Sequence, residues 1–360
     1  MSKLACARWL VVLYCIPLAR AAEADAFRVA VPGYHFAFPR DHFEHPDFRT
    51  EWWYYTGNLV DTQGKRFGFE LVFFRQGEHR GALANQSAWR IDDLYLAHLA
   101  LTDIDGKRFY SRQRLNRAGP GLAGASFAQH RVWNGNWSAH WEGERQVLDA
   151  TADEFHFRLQ LDAAKPPVIH GVGGVSQKAE GPGRASYYVS LPRLIVTGEL
   201  HLNGTQHSLS GTAWMDHEWF THQLAGDQVG WDWFSVQLEN QTELMLFELR
   251  GKDGIDPHSA GTYIDREGRA QHLSRASFSL APTGYWKSPR TGAAYPVRWR
   301  VLVPSLGIDL EARAALDGQE LSPEDQISPA YWEGAVTYSG SAKGVGYLEM
   351  TGYDKPVRME

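Results

Sequence analysis

The stretch that decides the fold is His45-Pro46-Asp47-Phe48-Arg49-Thr50-Glu51-Trp52-Trp53-Tyr54-Tyr55-Thr56-Gly57. It sets one carboxylate beside four consecutive large aromatic residues, a composition that favours β-strand. Strand side chains alternate between the two faces of a sheet. Glu51, Trp53 and Tyr55 therefore share one face, and Trp52 and Tyr54 the other. Side chains this bulky on both faces cannot all enter one core. One face packs a core, and the second must pack another domain or line a cavity.

Outward from this run the chain reads as all-β. Phe67, Phe69, Leu71 and Phe73 alternate after the turn Thr62-Gln63-Gly64. Residues 94–102 form a second run, closed by Asp105-Gly106, and residues 155–161 alternate cleanly. Leu200-His201-Leu202 leads into Asn203-Gly204, a strong hairpin signal, and Glu267-Gly268 marks another turn. No long segment places apolar residues at helical spacing. The best helix candidate, residues 323–327, is a short turn at most. Strands in steady hairpin succession favour an up-and-down antiparallel barrel over a sandwich. Residues 221–230 (THQLAGDQVG) are poor in strand formers and contain two glycines. They divide an N-terminal domain, residues 23–222, from a C-terminal domain, residues 223–360.

The first 22 residues read as an export signal. Lys3 and Arg8 precede an apolar run at 9–18, and Ala19-Arg20-Ala21 is a small-x-small cleavage site. The run is too short to span a bilayer, so a periplasmic or secreted protein is expected. Both cysteines, Cys6 and Cys15, lie inside this segment. The mature chain would then hold no disulfide, no thiolate nucleophile and no cysteine metal site. The full chain carries 36 basic and 42 acidic residues. Removing Lys3, Arg8 and Arg20 leaves 33 against 42, a net charge of −9. Such a surface disfavours nucleic acid as a partner.

Chemistry concentrates in Gly211-Thr212-Ala213-Trp214-Met215-Asp216-His217-Glu218-Trp219-Phe220. Asp216, His217 and Glu218 are adjacent titratable groups among aromatic residues. A carboxylate there can orient an imidazole, or act as an acid whose pKa is raised by apolar walls. His217 and His222 are five apart, not the four that two zinc-binding histidines on one helix face need. His42 and His45 precede Pro46, and a surface loop is the expectation for them. No metal or cofactor is expected. The chain has no Gly-x-Ser-x-Gly elbow, and Gly174-Val175-Ser176 lacks the strand-turn-helix setting of one. The glycines at 171, 173, 174, 181 and 183 flank a loop expected to be mobile. They lack the helix and Lys-Ser/Thr of a phosphate loop. In Gly230-Trp231-Asp232-Trp233-Phe234, the two tryptophans share a strand face and Asp232 takes the opposite one. Tyr331-Trp332-Glu333-Gly334 repeats the aromatic–acid theme, and residues 344–353 look like a closing strand.

Three motifs occur in the order of a known group: Glu51-Trp52-Trp53-Tyr54, the Trp-x-Asp-His-Glu-Trp element at 214–219, and Gly230-Trp231-Asp232-Trp233-Phe234. Over nearly the whole mature length the chain resembles the AttH-like secreted proteins of the carotenoid 1,2-hydratase (hydroxyneurosporene synthase) superfamily. The resemblance implies two tandem lipocalin-like, calycin-type barrels and a hydrophobic ligand. Hydratase members act on long isoprenoids, and this chain keeps their aspartate–histidine pair at Asp216-His217. Its neighbouring residues look more like the AttH-like branch, which is tied to lipid handling and export.

The leading expectation is a binding protein for a lipid, isoprenoid or other long apolar ligand. Glu51, Asp216, His217 and Asp232 would supply polar groups, and Trp52, Tyr54, Trp219, Trp231 and Trp233 the walls. The rival is a hydratase or isomerase in which Asp216 donates a proton to an alkene and His217 acts as base. A third reading is an accessory protein of an export complex at the inner membrane, its aromatic residues being interface anchors.

Overall fold

The computed structural model describes residues 27–78, 91–321 and 329–357. The expected export signal and the helix candidate at 323–327 lie outside these residues.

Two antiparallel sheets follow one another along the chain. The strands of the first end at Phe220, and those of the second begin at Gln228. In each sheet the last strand of the sequence pairs with the first. Thr205–Phe220 joins Thr50–Asp61, and Gly344–Met350 joins Gln228–Leu238. Those pairings curl a run of hairpins back on itself, so each sheet approaches a closed barrel. In the first, the outer strands Arg108–Arg117 and Ala123–Ser126 also touch. The hairpin at Asn203-Gly204 has φ of +49° and +82°, the pair of positive values that a tight two-residue turn demands.

The alternation read from the sequence sorts the aromatic residues into different cores. Trp53 and Tyr55 enter the interior of domain one with Phe67, Phe69, Leu71 and Phe73. Phe234, Trp299 and Trp332 anchor the interior of domain two. Tyr54, Val72, Tyr188 and Trp214 from domain one meet Trp233, Phe247, Ala335 and Tyr347 from domain two in a third cluster between the sheets, with Trp52 packed against it. Each buried aromatic side chain contributes roughly 2–3 kcal/mol of transfer free energy. The sheets touch where side chains are smallest. A Cβ on Gly68 would lie 2.7 Å from that of Ala335. Polar bridges fix the docking: the Asn58 amide donates to the Gly346 carbonyl at 3.0 Å, and the Gln237 amide to the Pro192 carbonyl at 2.8 Å.

Two local expectations change. His42 and His45 do not sit on a surface loop. A short 3-10 turn, Arg40–His42, folds the N-terminal segment over the end of domain one. His45 is buried there, its ring stacked on Trp219 at 3.8 Å. Pro46 excludes a long helix at this point, as read, but it does not exclude a buried turn. The glycine-flanked segment also carries a short strand, Ser176–Gln177, which pairs with Ala185–Leu202, as does Val168–Ile169 just before the segment.

Candidate active site

Strand register builds the site. Tyr54, Asp216 and Ser190 are direct cross-strand neighbours, and so are Trp52, Glu218 and Tyr188. Directly opposed residues project to the same face. The outer face of domain one thus presents an acid–aromatic row towards domain two. Domain two answers from its own sheet, where Trp233 opposes both Phe247 and Glu349, and Glu349 opposes Glu333. Between the two faces lies a partly open pocket of about 90 Å³. Trp52, Tyr54, Tyr188, Trp231 and Trp233 form much of its wall, and Asp216, Glu218, Lys178, Glu333 and Glu349 bring charge-bearing groups to it.

Asp216 is 3% exposed. Its Oδ2 accepts from the Tyr188 hydroxyl at 2.5 Å, and its Oδ1 from the Trp214 indole at 2.5 Å and from the Ser190 hydroxyl. Burial nevertheless dominates. It pushes the carboxyl up to about 7, against the pull of those three donors, and the nearby Glu218 adds to the rise. Tyr188 in turn accepts from the Trp233 indole at 2.8 Å, which ties the acid to domain two. Glu218 pairs with Lys178 at 3.2 Å and also accepts from the Ser186 hydroxyl and the Gln223 amide. Burial lowers the Lys178 ammonium, and Glu218 opposes that fall. The Lys178 Nζ sits 4.1 Å from the centre of the Phe247 ring.

The facing wall is acidic but largely uncharged. Burial pushes Glu349 up to about 8 and Glu333 well above its ordinary value, and Glu70, behind the wall on domain one, is likewise pushed up to about 8. The Tyr331 hydroxyl donates to Glu70 at 3.1 Å and meets the His98 Nδ1 at 2.6 Å. An aromatic pocket holding neutral acids suits an apolar molecule with an unsaturated or polarisable centre.

The structure divides the residues singled out from the sequence. Asp216, Trp52, Tyr54, Trp231 and Trp233 line the pocket together. Glu51, His217 and Trp219 do not join them, because each lies one step along its strand and so projects through the opposite face. Asp216 and His217 are therefore not a working pair. Asp232 faces the inside of domain two, bound to Arg250 at 3.1 Å and to the Tyr353 hydroxyl at 3.0 Å. Tyr188 comes from a strand that no motif marked, Glu349 from the closing strand and Lys178 from the glycine-flanked segment, and none of the three was singled out as a site residue. Cross-strand register brings in Tyr188 and Glu349.

Glu51 and His217 form a separate network. Glu51 accepts from Arg75 at 3.0 Å and lies 2.9 Å from the His217 Nε2 and 2.8 Å from the His45 Nδ1. The His217 Nδ1 lies 2.9 Å from the Asp41 carbonyl. Burial holds His217 below its ordinary value, against the pull of Glu51, while in His45 the bonds to Asp41 and Glu51 outweigh burial and raise it. Among the described residues, the ligand atoms of His45, Glu51 and His217 lie within 4.8 Å of one another, a spacing that could hold a metal ion. Arg75 and the backbone N–H of His45 already serve the Glu51 carboxylate, so the cluster is satisfied without one. Its evident work is to pin the N-terminal segment to domain one.

With this geometry in view, the comparisons with known proteins are informative. The family model described as AttH-like matches residues 29–353. A crystal structure described as AttH from Nitrosomonas europaea superposes with a TM-score of 0.80 at 34% identity, covering 91% of this chain and 99% of that one. Kievitone hydratase from Nectria haematococca shares the fold, with a TM-score of 0.67 at 16% identity over 92% of this chain and 95% of its own. Dehydratase asqC of Emericella nidulans is 22% identical over 196 residues, 52% of this chain. That match spans about half the length of the curated relative, 54%. With the matched model covering nearly the whole chain and two lipocalin-like barrels in place, the protein belongs to the AttH-like family.

Proposed function

We propose that this protein is a hydratase or dehydratase that acts on a carbon–carbon double bond of an apolar substrate held between its two domains. The observation that carries the proposal is Asp216, a carboxyl pushed up to about 7 at the wall of an aromatic pocket. Such a group is a competent proton donor near neutral pH. Two of the related proteins are named as a hydratase and a dehydratase, which are the two directions of one reaction. In the hydration direction the Asp216 proton adds to one alkene carbon, and the π electrons form that C–H bond. The other carbon becomes electron-deficient and is held against the faces of Trp52, Tyr54, Trp231 and Trp233. Water adds to it and loses a proton. The carboxylate the pocket offers for that proton is Glu218, beside Lys178. His217 has no part in this scheme, since it projects through the opposite face. The leading sequence expectation, carriage of a long apolar ligand, draws on the same aromatic walls. An exported location belongs to the proposal too, and rests on the first 22 residues.

The test is incubation of the protein with polyene, isoprenoid and phenolic alkene candidates in water enriched in oxygen-18, read by mass spectrometry. A labelled alcohol that Asp216→Asn no longer forms, while the variant still quenches tryptophan fluorescence on binding the same compound, is the expected result. Saturable binding with no turnover of any candidate would return the protein to the carrier reading. Turnover by Asp216→Asn would remove Asp216 from its role.

A further inference from the structure

Asp216 is linked to more than its pocket. Beside it, outside the pocket lining, stand Ser190, His170 and Thr262. The Ser190 hydroxyl meets Asp216 Oδ1, the His170 Nε2 lies 2.6 Å from the Ser190 Oγ, and the His170 Nδ1 lies 2.8 Å from the Thr262 Oγ1. All three are buried, at 0%, 1% and 2% exposure. The line ends in a second cavity of about 370 Å³, which His170 and Thr262 both line. This cavity is separate from the first. Phe247 lines both and forms the partition between them. His272, exposed and directly across from Thr262 in strand register, stands in the second cavity.

Hydrogen-bond accounting gives the line a particular property. A neutral imidazole has one N–H and one lone pair. With the proton on Nε2, Thr262 donates to His170, His170 to Ser190, and Ser190 to Asp216. With the proton on Nδ1, every bond reverses: Asp216 donates to Ser190, Ser190 to His170, and His170 to Thr262. Both polarities leave each link with one donor and one acceptor. Burial holds His170 well below its ordinary value, to about 3, with the charges of Lys178 and His272 adding to the fall, so the ring stays neutral in either state. The groups facing Asp216 itself are Glu218, Glu349, Lys178 and Tyr188, and none of them interrupts the line.

We propose that Thr262, His170 and Ser190 form a proton relay that recharges Asp216 from the second cavity. The proposal rests on the hydratase reading of Asp216 and deepens it. After Asp216 has given its proton to the substrate, the Ser190 proton passes to the carboxylate, and the His170 Nε2 proton to Ser190. The Thr262 proton passes to the His170 Nδ1, and a water in the second cavity protonates Thr262. In one pass each group takes one proton and gives one, and the net transfer is one proton from solvent to Asp216; the imidazole must then return from its Nδ1–H to its Nε2–H tautomer before the next pass. Substrate and proton thus enter by different doors, so an occupied pocket does not have to admit bulk water to reset its acid. Ser190, His170 and Thr262 are positioning residues in this scheme. They touch Asp216 directly or in series and never touch the substrate.

The test uses full-length protein labelled with nitrogen-15 histidine, and two variants of Thr262 that leave Asp216 and Ser190 in place. As pH rises through 7, the His170 resonances of the wild type should exchange the protonated nitrogen from Nδ1 to Nε2. Asp216→Asn should abolish that change. Thr262→Val, which keeps the shape and loses the hydroxyl, should cut kcat on the substrate found above by tenfold or more with KM unchanged. Thr262→Ser should restore it. A His170 tautomer that ignores pH between 6 and 8, or full turnover by Thr262→Val, would overturn the relay. The outcomes for the relay and for the hydratase reading are separate. An active Asp216→Asn defeats the reading of Asp216 as donor, whereas the histidine titration decides the relay without any substrate.

Discussion

Replacing Asp216 by asparagine should make the protein less sensitive to alkaline pH, and the size of the effect follows from burial. The Asp216 carboxyl moves from an ordinary 3.8 to about 7 on folding. Between those values the folded protein keeps a proton that the unfolded chain has released. Raising the pH through this window therefore lowers stability, with most of the loss complete above pH 7. The rise from 3.8 to about 7 corresponds to roughly 4 kcal/mol. Of this, about 2–3 kcal/mol falls between pH 5 and pH 8.5. Asparagine mimics the protonated acid. Its carbonyl can accept from Ser190 and Trp214, and its amide can donate to the Tyr188 oxygen. Glu70, Glu333 and Glu349 are also raised, so both proteins should lose stability with rising pH. The difference between them isolates Asp216. Urea unfolding of wild type and Asp216→Asn at pH 5 and 8.5 measures it. The wild type should lose about 2–3 kcal/mol more than the variant over that interval. Parallel pH dependences, agreeing within about 0.5 kcal/mol, would mean that Asp216 ionises freely and would refute the raised acid on which the proposed chemistry depends.

Two other expectations test the architecture. Arg75→Met leaves the Glu51 carboxylate buried beside two histidines without its guanidinium, which should cost about 3–5 kcal/mol in urea unfolding. A loss below about 1 kcal/mol would mean that the network does not hold the N-terminal segment down. Gly68→Val adds side-chain atoms where a Cβ alone would stand 2.7 Å from the Cβ of Ala335. It should push the domains apart at a cost of about 1–3 kcal/mol and weaken binding in the pocket while both barrel interiors stay intact. Fluorescence titration with any ligand identified above, set beside the melting temperature, would show it. Unchanged affinity would place the binding site elsewhere.

Much of the fold was legible because strand alternation is a local rule. Glu51-Trp52-Trp53-Tyr54-Tyr55 had to place Trp53 and Tyr55 on one face and Trp52 and Tyr54 on the other, and these faces became the interior of domain one and the contact with domain two. The Asn203-Gly204 turn and the alternation of 155–161 were equally local. Less of the site could be read, for the same reason. Adjacency in sequence suggested that Asp216 and His217 act together, yet in a strand adjacency means opposite faces. The same rule, applied to Trp219 and Glu51, sends them away from Asp216.

The sequence by itself determined the strands, their two-sidedness and the succession of two sheets. Each of these follows from side-chain period and turn chemistry within a few residues. The tertiary structure alone decided which residues meet Asp216. Tyr188 and Ser190 reach it by pairing between strands some 26 residues apart. Trp233 and Glu349 arrive from another domain, and His170 and Thr262 from opposite sides of the domain boundary. Register and docking are set by summed packing over two whole sheets, so no local stretch encodes them. The rise in the Asp216 pKa is likewise a property of burial between two domains, which exists only once both have folded and met.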